Sequence, residues 1–298
     1  MKTVHLPDCG VDFAYIDSGA PKSDDYTTVV CIHGHSYHAQ TFVRLLPQCP
    51  QHNLRIIAFN RRDYLGSAPY SADELSALHS TDAAKHRAFL HARGLEVAYL
   101  LVWVIRTLQI PPVREDGNTN TKKGGLALLG WSLGNITSLA FLAHLQGYPK
   151  DLIKVLEPHL RHFFIYVTLL YVLDFINVDG VYVESTLSFL GYEPPPGAYH
   201  PLWDPDIPGP LKGAAIDRWF TSYFSHPYFL SSSKGPFPSL SLETLKLRTP
   251  RSPMKRPTCE NRTPEESLAC IRPGAGRALR DRVLRHRRGR DAVCAAQR

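Results

Sequence analysis

The 298-residue chain is 44% hydrophobic and 20% charged, a globular balance that excludes a disordered or fibrous protein. Its formal net charge of +7 is unevenly spread: residues 248–298 hold 14 Lys and Arg against 5 Asp and Glu, and the remaining residues hold 20 against 22. The basicity belongs to the carboxyl-terminal segment, so it does not mark the main body as a nucleic-acid binder.

In chain order, Val11 to Ile16 alternates apolar and polar and is closed by Asp17-Ser18-Gly19, so residues 1–17 read as a leading hairpin. Thr27 to Ile32 and Leu54 to Phe59 are short buried strands. The first empties into His33-Gly34-His35-Ser36, the second into Asn60 to Ser67. Ser80-Thr81-Asp82 offers caps for a long helix from Ala83 to Leu108, stopped by Pro111-Pro112. Glu115 to Lys123 reads as a polar loop. Leu126 to Leu129 is a further strand, followed at once by Gly130-Trp131-Ser132-Leu133-Gly134 and a helical pattern through Leu145. Leu160 to Thr168 is the next strand. Strands alternating with helices predict an α/β domain with a doubly wound, mostly parallel sheet. Ligands of such sheets bind beyond the carboxyl ends of the strands, where His33-Gly34, Arg61-Arg62 and Ser132 all fall.

From about Asp174 to Leu240 proline, glycine and aromatic residues dominate, predicting a cap insertion, with one short amphipathic helix at Arg218 to Phe224. The domain is expected to span residues 1–247. Residues 248–298 lack an apolar run suited to a strand, and their arginine-rich composition predicts a solvated, low-order tail. The six cysteines show neither C-x-x-C nor zinc spacing, so no metal site is expected. The amino terminus lacks the apolar core of a signal peptide, and reduced thiols in the cytoplasm are the expectation. Phe163 to Val178 is apolar but short and interrupted by Asp174, so no membrane span is expected.

The Gly-x-Ser-x-Gly stretch between a strand and a helix makes Ser132 the candidate nucleophile. The turn is tight enough to demand glycine at 130 and 134. The donors for a tetrahedral oxyanion would be the backbone N–H groups of Leu133 and of the loop after Ile32, at His35. The side chain of His33 is read as bonding its own loop.

Together, His33-Gly34-His35-Ser36, Asn60 to Ser67 and Gly130-Trp131-Ser132-Leu133-Gly134 resemble the α/β-hydrolase superfamily. The second loop is similar to that family's Asp-x-Arg-Gly-x-Gly-x-Ser loop, with Asp63 in place of its first glycine. The resemblance covers residues 10–170 and, loosely, the cap, and is not seen past Leu247. It implies a cofactor-free serine hydrolase acting on a small-molecule ester or related acyl bond. Members with an aspartate nucleophile are disfavoured because Ser132 holds that place. The family's order is Ser, then acid, then His, and here no strand-like segment follows the cap. Asp174, Asp179, Asp204 and Asp206 are open as the acid, Asp174 lying where some members carry it. His226 and His286 are open as the base, neither in the expected setting. The expectation is therefore a chain whose carboxyl-terminal third is missing or replaced, with impaired hydrolysis. The alternative is a non-catalytic hydrolase-like protein that binds a small molecule. A nucleic-acid role for the arginine tail is disfavoured because it lacks interleaved aromatic residues.

Overall fold

Six short segments rich in β-branched and aromatic residues pair into one sheet, and their register places the candidate site. The computed structural model describes residues 1–35, 37–116, 121–166, 201, 204–222 and 256–266. These fall into two compact units, divided between residues 166 and 201.

In the first unit, β1 (Lys2–Leu6) and β2 (Val11–Asp17) form the leading hairpin. β3 (Thr27–Ile32) and β4 (Leu54–Phe59) follow. Where the sequence predicts a polar loop, β5 (Arg114–Asp116) and β6 (Thr121–Lys123) instead pair as a small separate ribbon. β7 (Leu126–Trp131) runs two residues further than the apolar run alone suggests, and β8 (Leu160–Tyr166) lies beside it. The sheet order is β1-β2-β4-β3-β7-β8. The hairpin is antiparallel and joins β4 antiparallel, whereas β4, β3, β7 and β8 are mutually parallel.

Side chains alternate across the central strands, as period-2 geometry requires. Val30, Ile32, Ile57, Phe59, Leu126 and Leu128 face one side, where they join the main core with Val97, Leu101, Val104 and Phe141. Cys31, Ile56 and Ala58 face the other, packing with Ala39, Phe42 and Cys49. Both faces of the strands are apolar because both are covered. The first face carries α-helices; the second is covered by a 3₁₀ segment, Ala39–Gln48, which was not among the expected elements. Full burial of each large core side chain contributes about 1.5–3 kcal/mol.

The first helix, α1 (Ala72–His79), opens with a reciprocal capping box between Ser71 and Glu74. The long helix α2 (Ala83–Thr107) matches its predicted start, where the Asp82 carboxylate accepts from the amide of Ala84. By length and composition α2 could cross a bilayer, but it is the core helix of this unit, with Leu101, Val104 and Ala98 fully buried. α3 (Gly134–Ala143) and α4 (Lys150–Leu156) pack against it.

In the second unit the short helix, α5, spans Lys212–Phe220, earlier than the Arg218 to Phe224 expected. Residues 256–266, which composition assigns to a solvated tail, hydrogen-bond to it. Thr258 N–H donates to the Thr221 carbonyl at 2.9 Å, and the Arg262 guanidinium reaches Asp217 at 3.1 Å. Composition misses these contacts because they join segments about forty residues apart through a few backbone and polar side-chain groups. The rest of the predicted cap and of the tail lies outside the described residues.

Candidate active site

The parallel strands end level with one another. Ile32 pairs with Phe59 on one side and with Gly130 on the other. The loops that follow β3, β4 and β7 therefore emerge side by side, which is the juxtaposition expected of His33-Gly34, Arg61-Arg62 and Ser132.

Ser132 sits between β7 and α3 with φ of +52°, in the left-handed region that costs a side-chain-bearing residue on the order of 1–3 kcal/mol. The surroundings hold it there. Its amide donates to the Tyr166 carbonyl at 2.7 Å, and its carbonyl accepts from both the amide and the side chain of Asn135, each at 3.0 Å. A Cβ at Gly134 would lie 2.3 Å from the Ile32 carbonyl oxygen and 2.7 Å from that of His33. A Cβ at Gly130 would meet the Ser138 hydroxyl and the Asn135 side chain, so both glycines are required by space. Gly34 approaches from the facing loop: a Cβ there would lie 3.0 Å from Ser132 Cβ and 3.5 Å from Oγ. Leu133 follows as the N-cap of α3, ahead of the first amide bonded within that helix, which leaves its N–H without an intrahelical acceptor.

The loop after β3 is stitched to the loop after β4. His33 Nδ1 donates to the Gly34 carbonyl at 2.8 Å, and Nε2 accepts from the Arg61 amide at 3.0 Å, which fixes a neutral imidazole. The Tyr64 hydroxyl donates to the His35 carbonyl at 2.6 Å. Asn60 ties both loops down, accepting from the Ala39 amide at 2.8 Å and donating to the Leu65 carbonyl at 2.7 Å. Trp131, just before the serine, stacks on Tyr37 with centroids 5.5 Å apart, and Phe42 meets its edge. Asp63, where the resembling family has glycine, has φ of +68°, a conformation aspartate tolerates better than most residues. Its carboxylate accepts from the Tyr70 amide at 2.9 Å.

Behind this loop lies a buried ionic cluster. Arg62 reaches Glu96 at 2.7 Å and Glu74 at 2.9 Å, and Arg93 reaches Glu96 at 2.9 Å. The Tyr70 ring lies under the Arg62 and Arg93 guanidiniums, at 5.0 and 5.3 Å.

The structure thus brings Ser132, Leu133, Gly34-His35 and the Arg61-Arg62 loop together. Asp174, Asp179, His226 and His286 lie outside the described residues. Asp204 and Asp206 lie in the second unit. Sequence reasoning passed over Asn60, Tyr64 and the Arg62–Glu96 pair. No local spacing flags Tyr64 or the pair. Asn60 carried a signal as the first residue of the loop likened to the family's, and Glu74 carried one because Ser71-x-x-Glu74 ahead of Leu75 is a capping-box pattern.

Burial, aided by the adjacent Arg61 charge, holds the His33 imidazole well below its ordinary value. The folded protein then stays unprotonated at this ring while the unfolded chain takes up a proton below about pH 6.5. Stability is therefore expected to fall as pH drops through about 6.5, since the unfolded state binds more protons there. Thermal midpoints measured from about pH 8 to 5 check this. The slope should flatten in His33→Gln, and an unchanged slope would assign the effect to another group.

A strand emptying into a glycine-flanked serine with positive φ, then a helix, beside the glycine loop of a parallel neighbour, defines the α/β-hydrolase architecture. The chain belongs to the alpha/beta hydrolase family, whose model matches residues 29–293. That match continues beyond Leu247, where the motif resemblance ends, into the arginine-rich segment. No curated protein matches the chain. Among solved structures it is similar to a carboxylesterase of the thaumarchaeon Nitrososphaera gargenis, at 14% identity and a TM-score of 0.34, covering 55% of this chain and 44% of that one. It is also similar to an esterase from Exiguobacterium antarcticum, at 17% identity and a TM-score of 0.33, covering 56% and 45%. A third is a haloalkane dehalogenase from Paraglaciecola agarilytica, at 16% identity and a TM-score of 0.32, covering 56% and 43%. The chain spans less than half the length of each of these.

Proposed function

We propose that this chain is a serine hydrolase acting on a small-molecule ester or related acyl bond, with Ser132 as the nucleophile. The observation that carries the reading is the positive φ of Ser132 at the β7–α3 junction, held between Gly34 and Gly134. Stored backbone strain of this kind clusters at functional sites. The serine Oγ attacks the acyl carbon, and the carbonyl oxygen becomes an oxyanion facing the Leu133 and His35 amides. Collapse of that intermediate expels the alcohol and leaves an acyl-enzyme, which water then hydrolyses. A histidine must accept the serine proton, and a carboxylate must orient it. His226 and Asp174 keep those roles in the proposal. No cofactor enters the scheme. A reducing, cytoplasmic setting accords with the free thiols of Cys9, Cys31, Cys49 and Cys259.

The test is covalent. A fluorophosphonate is expected to label Ser132 in preference to every other hydroxyl, located by peptide mass spectrometry, and Ser132→Ala should lose both the label and the hydrolysis of a nitrophenyl acetate. With a working base the loss reaches on the order of 10⁶ in kcat, and the residual 10³–10⁴ over water, which the oxyanion donors and binding supply, remains in Ser132→Ala. An adduct on another serine, with Ser132 unmodified, would end the proposal.

A further inference from the structure

Arg61 is a buried cation with few partners. It is 6% exposed, and among the described residues its Nε has no hydrogen-bond partner and its side chain makes one hydrogen bond, from NH1 to the Gly34 carbonyl at 3.4 Å. Its guanidinium also lies 5.7 Å from the centre of the Tyr64 ring. Among the described residues Arg61 makes no ion pair: Glu74 and Glu96 serve Arg62 and Arg93, and Asp63, in the same loop, turns its carboxylate to the Tyr70 amide. Burying a charge without a counter-charge is costly, so its retention here needs a reason.

The Gly34 carbonyl supplies one. It accepts from His33 Nδ1 at 2.8 Å and from Arg61 at 3.4 Å. In a trans peptide the N–H points opposite to the carbonyl. Fixing this carbonyl toward the loop after β4 therefore turns the His35 N–H away from that loop. The same peptide begins at Gly34, the point of closest approach to Ser132. A cation at a peptide oxygen also polarises the amide and strengthens its N–H as a donor.

We infer that Arg61 is a positioning residue for acyl transfer: it orients and polarises the Gly34–His35 peptide, and its positive charge favours the anionic tetrahedral intermediate over the neutral ester. The inference rests on the proposed role of Ser132. Preorganised positive potential in a water-excluded site acts selectively on the charge that develops during reaction. The consequence is a change in kcat and in the rate of serine labelling, with KM largely unmoved.

The experiment compares the full-length protein with Arg61→Met, Arg61→Gln and Arg61→Lys, counting active sites by fluorophosphonate stoichiometry so that misfolded protein does not enter the rates. Per labelled site, Arg61→Met and Arg61→Gln are each expected to lower kcat for a nitrophenyl ester at least about tenfold, loss of a full oxyanion donor costing 10²–10³. KM should stay within about twofold, and Arg61→Lys should recover most of kcat. The ratio of oxygen-ester to thionoester hydrolysis should fall in the neutral variants, because sulfur gains less from an oxyanion site. A merely structural Arg61 would reduce the number of labelled sites and leave the rate per site and this ratio unchanged, which would overturn the inference. The two neutral variants provide the comparison even if one fails to fold. Wild-type protein that does not label at Ser132 would remove the serine-hydrolase reading and this inference with it. A labelling wild type with unaltered neutral variants would remove the inference alone.

Discussion

Gly134→Val is expected to leave no soluble protein that reacts at Ser132. The added Cβ would sit 2.3 Å from the Ile32 carbonyl oxygen and 2.7 Å from the His33 oxygen, both backbone atoms at the end of β3. Neither can retreat. β3 is hydrogen-bonded to β4 on one side and to β7 on the other over most of its length. Overpacking against movable side chains costs about 1–3 kcal/mol, and a clash with backbone locked in the middle of a sheet belongs at or above the top of that range. It adds to strain already present at Ser132. Against a total stability of about 5–15 kcal/mol, such a loss empties the native state or displaces α3 from the sheet. Gly134→Ala sharpens the test, because alanine carries the offending atom and nothing more. It should show most of the loss in the soluble fraction and the thermal midpoint. A Gly134→Ala protein with the wild-type midpoint and labelling rate would contradict the close approach of α3 to β3.

Glu96→Ala should destabilise the protein by about 3–5 kcal/mol, as expected when one partner of a buried ion pair is removed. Glu96 accepts from Arg62 at 2.7 Å and from Arg93 at 2.9 Å, and all three side chains are at least nine-tenths buried. Its loss leaves two guanidiniums to the single carboxylate of Glu74, beside Arg61, which makes no ion pair among the described residues. Burial pushes the Glu96 carboxyl above its ordinary value, and the two guanidiniums pull against that shift. The carboxylate is thus costly to hold, and the guanidiniums are costlier to leave alone. Urea denaturation of wild type and variant measures the difference. The exposed pair Arg218–Glu260, with side chains 55% and 34% exposed, is the control. Its removal should cost less than about 1 kcal/mol, because solvent screens such pairs. A Glu96→Ala variant within about 1 kcal/mol of wild type would show that the cluster relaxes or hydrates.

The two variants probe different layers of the molecule, and those layers were unequally visible in the sequence. The elbow was legible because its constraints are local: two glycines two residues either side of a serine, an apolar run before and a helical pattern after. The strands were legible for the same reason, since β3 and β4 each bury both faces and read as continuous apolar runs. The long helix α2 declared its start through the Asp82 cap. The short helices α1 and α4 were not among the expected elements, and other features escaped for clearer physical reasons. The 3₁₀ segment Ala39–Gln48 is amphipathic at helical spacing, but it lacks a side-chain cap and holds Pro47 inside it, so no start or stop signal marks it as a helix. The ribbon of β5 and β6 is made of charged and polar residues such as Arg114, Lys122 and Lys123, which composition assigns to a loop. The contacts of residues 256–266 with α5 depend on pairings such as Arg262 with Asp217, forty-five positions apart.

By itself the sequence determined the fold class, the order of the central strands along the chain, and the residue that the elbow presents. Hydrophobic period and turn chemistry act over a few residues, and a sequence displays them directly. Only the tertiary structure decided which polar groups meet beyond the strand ends. Arg61, Arg62 and Tyr64 are close neighbours in one loop. Folding sends the Arg61 guanidinium to the Gly34 carbonyl, the Tyr64 hydroxyl to the His35 carbonyl, and Arg62 away to Glu96 on α2. Their fates diverge because backbone dihedrals within the loop, including the positive φ at Asp63, aim successive side chains in different directions. Charge balance is likewise a property of the folded neighbourhood. The same arginine is an ordinary solvated cation on an open chain and a buried cation once the sheet, α2 and the β3 loop have closed around it.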